Sequence, residues 1–231
     1  MRMSRFERFL PWSGAIAGLA WIGQTTLARM YATDEPGGAS AQVTQEHVLM
    51  NTGSTACLVV MGVALLFFAT AVRNLLRSRE PSDATYSSVA FGAWITVSAA
   101  LGQMAAWNKA VMSAAEDDAS AATQTLGYGA YFGWLAMGVG ISTAFIAFGL
   151  GGLRNALLPT WFARTTIVLG AFAMLGAAGI PPGGLVNYLI LPFWLIAAAV
   201  IVAKRQRIGV QSGQAVDRPE AGHVPGTNAS P

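Results

Sequence analysis

Apolar residues run in long blocks along this chain, and polar ones gather between the blocks. The clearest block is TACLVVMGVALLFFATAV, the eighteen uncharged residues from Thr55 to Val72. That is enough helix to cross most of a ~30 Å hydrocarbon core at ~1.5 Å per residue. Arg73, Arg77 and Arg79 follow at once, and a basic cluster directly after an apolar span marks its cytoplasmic end. Fixing the direction of one span fixes the others by alternation. The pattern predicts an all-α, polytopic membrane bundle of six transmembrane helices at about 10–28, 54–76, 86–108, 127–153, 160–180 and 185–203. Residues 1–207 form the membrane domain, with both termini cytoplasmic, and 208–231 a polar, disordered tail rich in Gly and Pro.

The first block has two readings. Arg2, Arg5 and Arg8 before an uncharged run from Leu10 to Leu27 fit a signal peptide ending near Ala28. Trp12 and Trp21 are bulky for that role, and no soluble domain follows, so a retained first helix is the better reading. Residues 30–51 are then an acidic outer loop broken at Pro36–Gly38, with a short amphipathic turn before the second span. Pro81 stops the second helix, and Ser82 or Asp83 is placed to cap the third. Lys109 is expected to end the third helix, ahead of a second acidic loop at Glu116, Asp117 and Asp118. Five glycines between Gly129 and Gly149 predict a central, closely packed fourth helix. Pro181–Gly184 reads as a tight outer turn, and Pro192 as a kink that frees the Tyr188 carbonyl.

Composition supports this. Of 231 residues, 54% are hydrophobic and 11% charged, against roughly 25% charged in a soluble domain. The net charge of +3 does not point to nucleic acid, because the cations sit at helix ends. Under the six-span topology the inner side carries net +7 and the outer side net −4, as the positive-inside rule requires. Twelve Arg against two Lys, with abundant Ala and Gly, suggest a GC-rich bacterial genome and hence a bacterial cytoplasmic membrane. The single cysteine, Cys57, rules out an intramolecular disulfide.

Little reactive chemistry is left to place. None of the six blocks carries an ionisable group in its central region, as proton- and ion-coupled carriers ordinarily do. No nucleotide loop, zinc-type HExxH or nucleophile elbow occurs. His47 has no second ligand at metal or haem spacing, and the Glu116–Asp118 run lacks the glycine turn of a calcium loop. No catalytic residue, metal or cofactor is therefore expected. Neutral polar groups remain: Gln24, Gln103, Asn108 and Asn187, all in the outer part of the bilayer by count. They read either as interhelical hydrogen bonds or as an outward-facing polar cleft. Gln24 and Gln103 lie at similar depth, so both amides are expected to face the interior, where they can pair. Trp12, Tyr128 and Trp161, near block ends, form an aromatic belt.

LLPTW (Leu157–Trp161), the apolar span after it, and LILPFWLIAAAVIVAKR (Leu189–Arg205) resemble the closing helix pair in a family of uncharacterised six-helix actinobacterial integral membrane proteins. Over the first four helices the similarity is one of hydropathy and loop length. The resemblance implies the six-helix topology and brings no activity or site residue. The expected function is a non-enzymatic accessory or regulatory component of the membrane, its partners being lipids, other membrane proteins or a second copy. The alternative is a small-molecule permease with Pro192 as its hinge.

Overall fold

A computed structural model describes residues 5–31, 41–81 and 83–216 of the chain. The expected Pro36–Gly38 break, a cap from Ser82 and the tail beyond Val216 lie outside the described residues. In order come α1 (Arg5–Phe9), a 3-10 turn (Leu10–Trp12), α2 (Ser13–Tyr31), α3 (Ala41–Glu46), α4 (Val48–Arg77), α5 (Thr85–Glu116), α6 (Ser120–Arg154) and α7 (Thr160–Ala177). A π-helical turn (Val186–Ile190) then leads into α8 (Leu191–Val216). Five helices, α4 to α7 and the π turn with α8, are long and apolar enough to cross a membrane. α2 is not among them, because it carries Gln24, Thr25, Thr26 and Arg29 while apolar Leu10 to Trp12 stand apart in the 3-10 turn.

Neighbours in sequence are neighbours in space. α4 packs on α5, α5 on α6 and α6 on α7, while α2 lies between α4 and α8. Trp194 closes the bundle at its centre. Its ring stands 4.1 Å from Phe145, 5.8 Å from Phe148, 5.9 Å from Phe162 and 5.9 Å from Trp94. Its indole N–H donates to Thr166 Oγ1 at 2.9 Å, so a large apolar side chain is buried without stranding its one donor. α6 is central, as its glycines predict: 67% of its apolar window is buried, the highest share of the five.

At one end of the bundle the helices run past their expected limits. α5 does not stop at Lys109 but continues to Glu116, and α6 starts at Ser120 rather than near 127. The 32 residues of α5 make about 48 Å of helix, well beyond a ~30 Å core. Nothing in AVMSAAE after Lys109 breaks a helix. The overhang is packed, with Val111, Met112, Ala115, Thr44 and Thr123 buried. Gln45 Nε2 on α3 donates to Ala115 O at 2.6 Å and to Asp118 Oδ1 at 3.2 Å. The segment before α4 is thereby tied to the acidic turn after α5.

At the opposite, basic end the turns are short. Glu80, not Asp83, caps α5: its carboxylate accepts the Ser87 N–H at 2.9 and 3.2 Å. Asp83 instead accepts the Thr85 hydroxyl at 3.1 Å. α8 stays helical past Arg207 to Val216, so the helix reaches into the stretch expected to be tail. Gln206 Nε2 donates to Ala71 O on α4 at 3.3 Å.

Candidate functional site

The four polar side chains expected to line one cleft fall into two groups. Gln24 is 8% exposed on α2 and donates weakly to Ser54 Oγ on α4 at 3.5 Å, while its Oε1 has no partner. Asn187, in the π turn, is fully buried, and neither its Oδ1 nor its Nδ2 has a partner. Its amide lies against α6, where a methyl at Gly138 would stand 3.1 Å from Nδ2. Gln103 is exposed on α5, on the opposite face from buried Trp94, Val97, Leu101 and Met104. Gln24 and Gln103 therefore do not pair. Asn108 is half-buried further along α5. The helix face was the missing quantity for Gln103, and it is set by those bulky residues at spacings of three and four.

Pro192 is locked in place. It follows the π turn after one intervening residue, Leu191, whose N–H reaches back to Val186 O. Such widened turns let a helix absorb a missing backbone bond. The Tyr188 carbonyl that Pro192 cannot serve accepts the Trp21 indole N–H at 3.2 Å. The Trp21 and Tyr188 rings pack at 5.7 Å, with Trp134 on the far side of Tyr188 at 5.6 Å. One turn before Trp21, Gly18 meets the bend backbone to backbone: a methyl there would stand 2.6 Å from Pro192 O. The two glycines of Gly14-xxx-Gly18 serve different neighbours, since a methyl at Gly14 would strike the Phe68 ring on α4.

The outward face of α5 has the reverse character. Ser88, Gly92, Thr96, Ala99, Gly102, Gln103 and Ala106 are exposed, and a side chain at Gly92 or Gly102 would meet nothing within 4 Å. Small or polar residues make up most of this face, with Val89 and Ile95 exposed among them. The spacing of small residues around Gln103 is the sequence signal for this face. Sequence reasoning also missed the core role of Trp94 and Trp194, mid-block tryptophans that no belt explains. Among the described residues no group of three or more His, Cys, Asp or Glu side chains converges. No known protein family, curated protein or solved structure matches the chain, so the resemblance in the last two helices carries no further argument.

Proposed function

We propose that this chain is a six-span protein of the bacterial cytoplasmic membrane, with both ends inside, acting without catalysis as an accessory or regulatory component through contacts of its helices. The single observation behind this is the outward face of α5, where Gln103 and two open glycines are presented away from the core. An amide at that depth finds no hydrogen-bond partner in lipid tails, and small residues are what let a second membrane helix approach. α2 supplies the sixth span in this reading, since it lies between α4 and α8 with Ala17 and Trp21 fully buried. The charge asymmetry supports the orientation.

A photo-crosslinker at position 103, in cells, tests the contact. A discrete adduct with a second polypeptide is the expected result; adducts with lipid alone would overturn it. A cytoplasm-only reporter should work after Arg79 or Arg207 and fail near Gly38 or Asp118. Activity at Gly38 would reverse the orientation.

One observation favours the permease reading: Asn187 and the Gln24 oxygen are buried without partners, as they would be if lining a site for a small polar solute. The locked bend at Pro192 weighs against a hinge there. Stabilisation of the purified protein by a solute, together with uptake lost in a Pro192 variant, would turn the balance toward it.

A further inference from the structure

We infer that the basic end of the outward α5 face binds an anionic phospholipid, its headgroup phosphates held on the two flanks by Arg73 and Arg154. Arg73, exposed on α4, has its guanidinium carbon 5.2 Å from the centre of the Phe91 ring. Arg154, exposed on α6, donates from Nη1 to Tyr86 Oη at 3.2 Å, with its guanidinium carbon 6.0 Å from that ring. Phe91 and Tyr86 both belong to α5, five residues apart, so they leave the helix on different sides. A methyl at Gly151 of α6 would lie 2.8 Å from Tyr86 Cβ, which places Tyr86 on the α6 flank, as Arg73 places Phe91 on the α4 flank. Each arginine is thus anchored to a ring at one border of the same face.

Neither guanidinium forms an ion pair with an acid among the described residues. At this end of the bundle Glu80 accepts the Ser87 N–H and Asp83 the Thr85 hydroxyl, and Asp83 attracts Arg154 only through space. Stacking on a ring uses the flat of a guanidinium and leaves edge N–H donors for a phosphate, which they match as a fork. Two preorganised cations, Arg73 on α4 and Arg154 on α6 with only the through-space attraction of Asp83, leave room for an anion from the membrane itself. Between the flanks lie Ser88, Val89 and Gly92, all exposed, and Gly92 opens onto empty space. That shallow strip, continued by Thr96 and Ala99, gives the acyl chains a bed. Arg164 on α7 is also exposed but has no such ring beside it, and serves as the control.

The site rests on the reading of α5 as the contact helix and is tested on the full chain in nanodiscs. Replacing a fifth of the phosphatidylcholine by phosphatidylglycerol should raise Tm by about 5 °C, as a saturating ligand does. Arg73→Gln with Arg154→Gln should abolish the rise, and Arg164→Gln should keep it. Loss of the rise in the Arg164 variant alone would overturn the assignment, as would an equal rise with inorganic phosphate in phosphatidylcholine. A photoactivatable phosphatidylglycerol on the unaltered protein removes dependence on the variants folding. It should label residues 85–99, and labelling confined to other helices would sink the proposal. If lipid preference is absent while the position-103 crosslink persists, the lipid site fails alone; if the crosslink is absent and labelling persists, the helix contact fails and the lipid site stands.

Discussion

Two faces of this bundle are built from the same ingredients and end in opposite states. The seam between α2 and α8 holds a glycine and a backbone carbonyl freed by proline. There Gly18 is filled by the Pro192 backbone, and the Tyr188 carbonyl is taken by Trp21. The outward face of α5 holds glycines too, and an amide, yet Gly92 and Gly102 meet nothing within 4 Å and Gln103 is exposed. Composition does not separate the two faces; the presence of an opposing helix does. A membrane helix gains little from burying apolar surface, because lipid is as apolar as its neighbours, so close backbone approach and hydrogen bonds decide association. The first face has used both, and the second still offers both.

The largest effect should come from filling the glycines. Gly18→Leu forces a side chain into the Pro192 carbonyl and is expected to cost about 3 kcal/mol or more, enough to lose folded protein. Gly102→Leu projects into open space and should change the stability of the isolated protein by no more than ~0.5 kcal/mol. Unfolding by denaturing detergent, read from tryptophan fluorescence, compares them. Equal losses at the two sites would erase the distinction between a closed and an open face.

How much of this could be read from the chain depends on whether the quantity was one-dimensional. The run of apolar residues along a block is, which made five long apolar helices legible and placed Pro181–Gly184 at a turn, where Gly183 N–H does bond to Ile180 O at 3.0 Å. Helix ends were less legible, because a charge does not stop a helix, as α5 shows beyond Lys109. Azimuth and partnership were the least legible. Gln24 and Gln103 look alike in sequence, but Trp94, Val97, Leu101 and Met104 turn one of them outward. The freed Tyr188 carbonyl was predictable from Pro192; its acceptance of an indole proton from a residue 167 positions away was not.

The closed seam can be loosened one bond at a time. Trp21→Phe keeps most of the ring but removes the N–H that the Tyr188 carbonyl accepts across the seam. The expected cost is about 2 kcal/mol. Pro192→Leu restores a backbone N–H able to serve that carbonyl, so in its presence Trp21→Phe should cost about 1 kcal/mol less. Strict additivity in this double-mutant cycle would show that the indole bond does not hold the bend.

Asn187→Leu asks whether the closed side also contains a site. Both polar atoms of Asn187 are buried without partners, and replacing such a group by an apolar one of similar shape is close to neutral or stabilising. The adjacent Gly138 limits the room for the larger methyls, so a change within about 1 kcal/mol is expected. A loss beyond ~2 kcal/mol would mean that water or a solute satisfies the amide, strengthening the permease reading.

Gln103→Leu should have the smallest effect on the isolated protein and separates the two faces most sharply. The amide makes no hydrogen bond among the described residues and stands clear of the core, so thermal unfolding should move by less than ~0.5 kcal/mol. In lipid the substitution should slightly favour insertion, because an amide is replaced by an alkyl group. The consequence belongs to the partner: a crosslinker moved to the neighbouring exposed position, Ala106, should lose its discrete protein adduct when Gln103 is leucine, since the hydrogen bond that holds the second helix is gone. A stability loss equal to that of Trp21→Phe would instead show that Gln103 bonds within its own bundle, and the open face would have to be redrawn as part of the core.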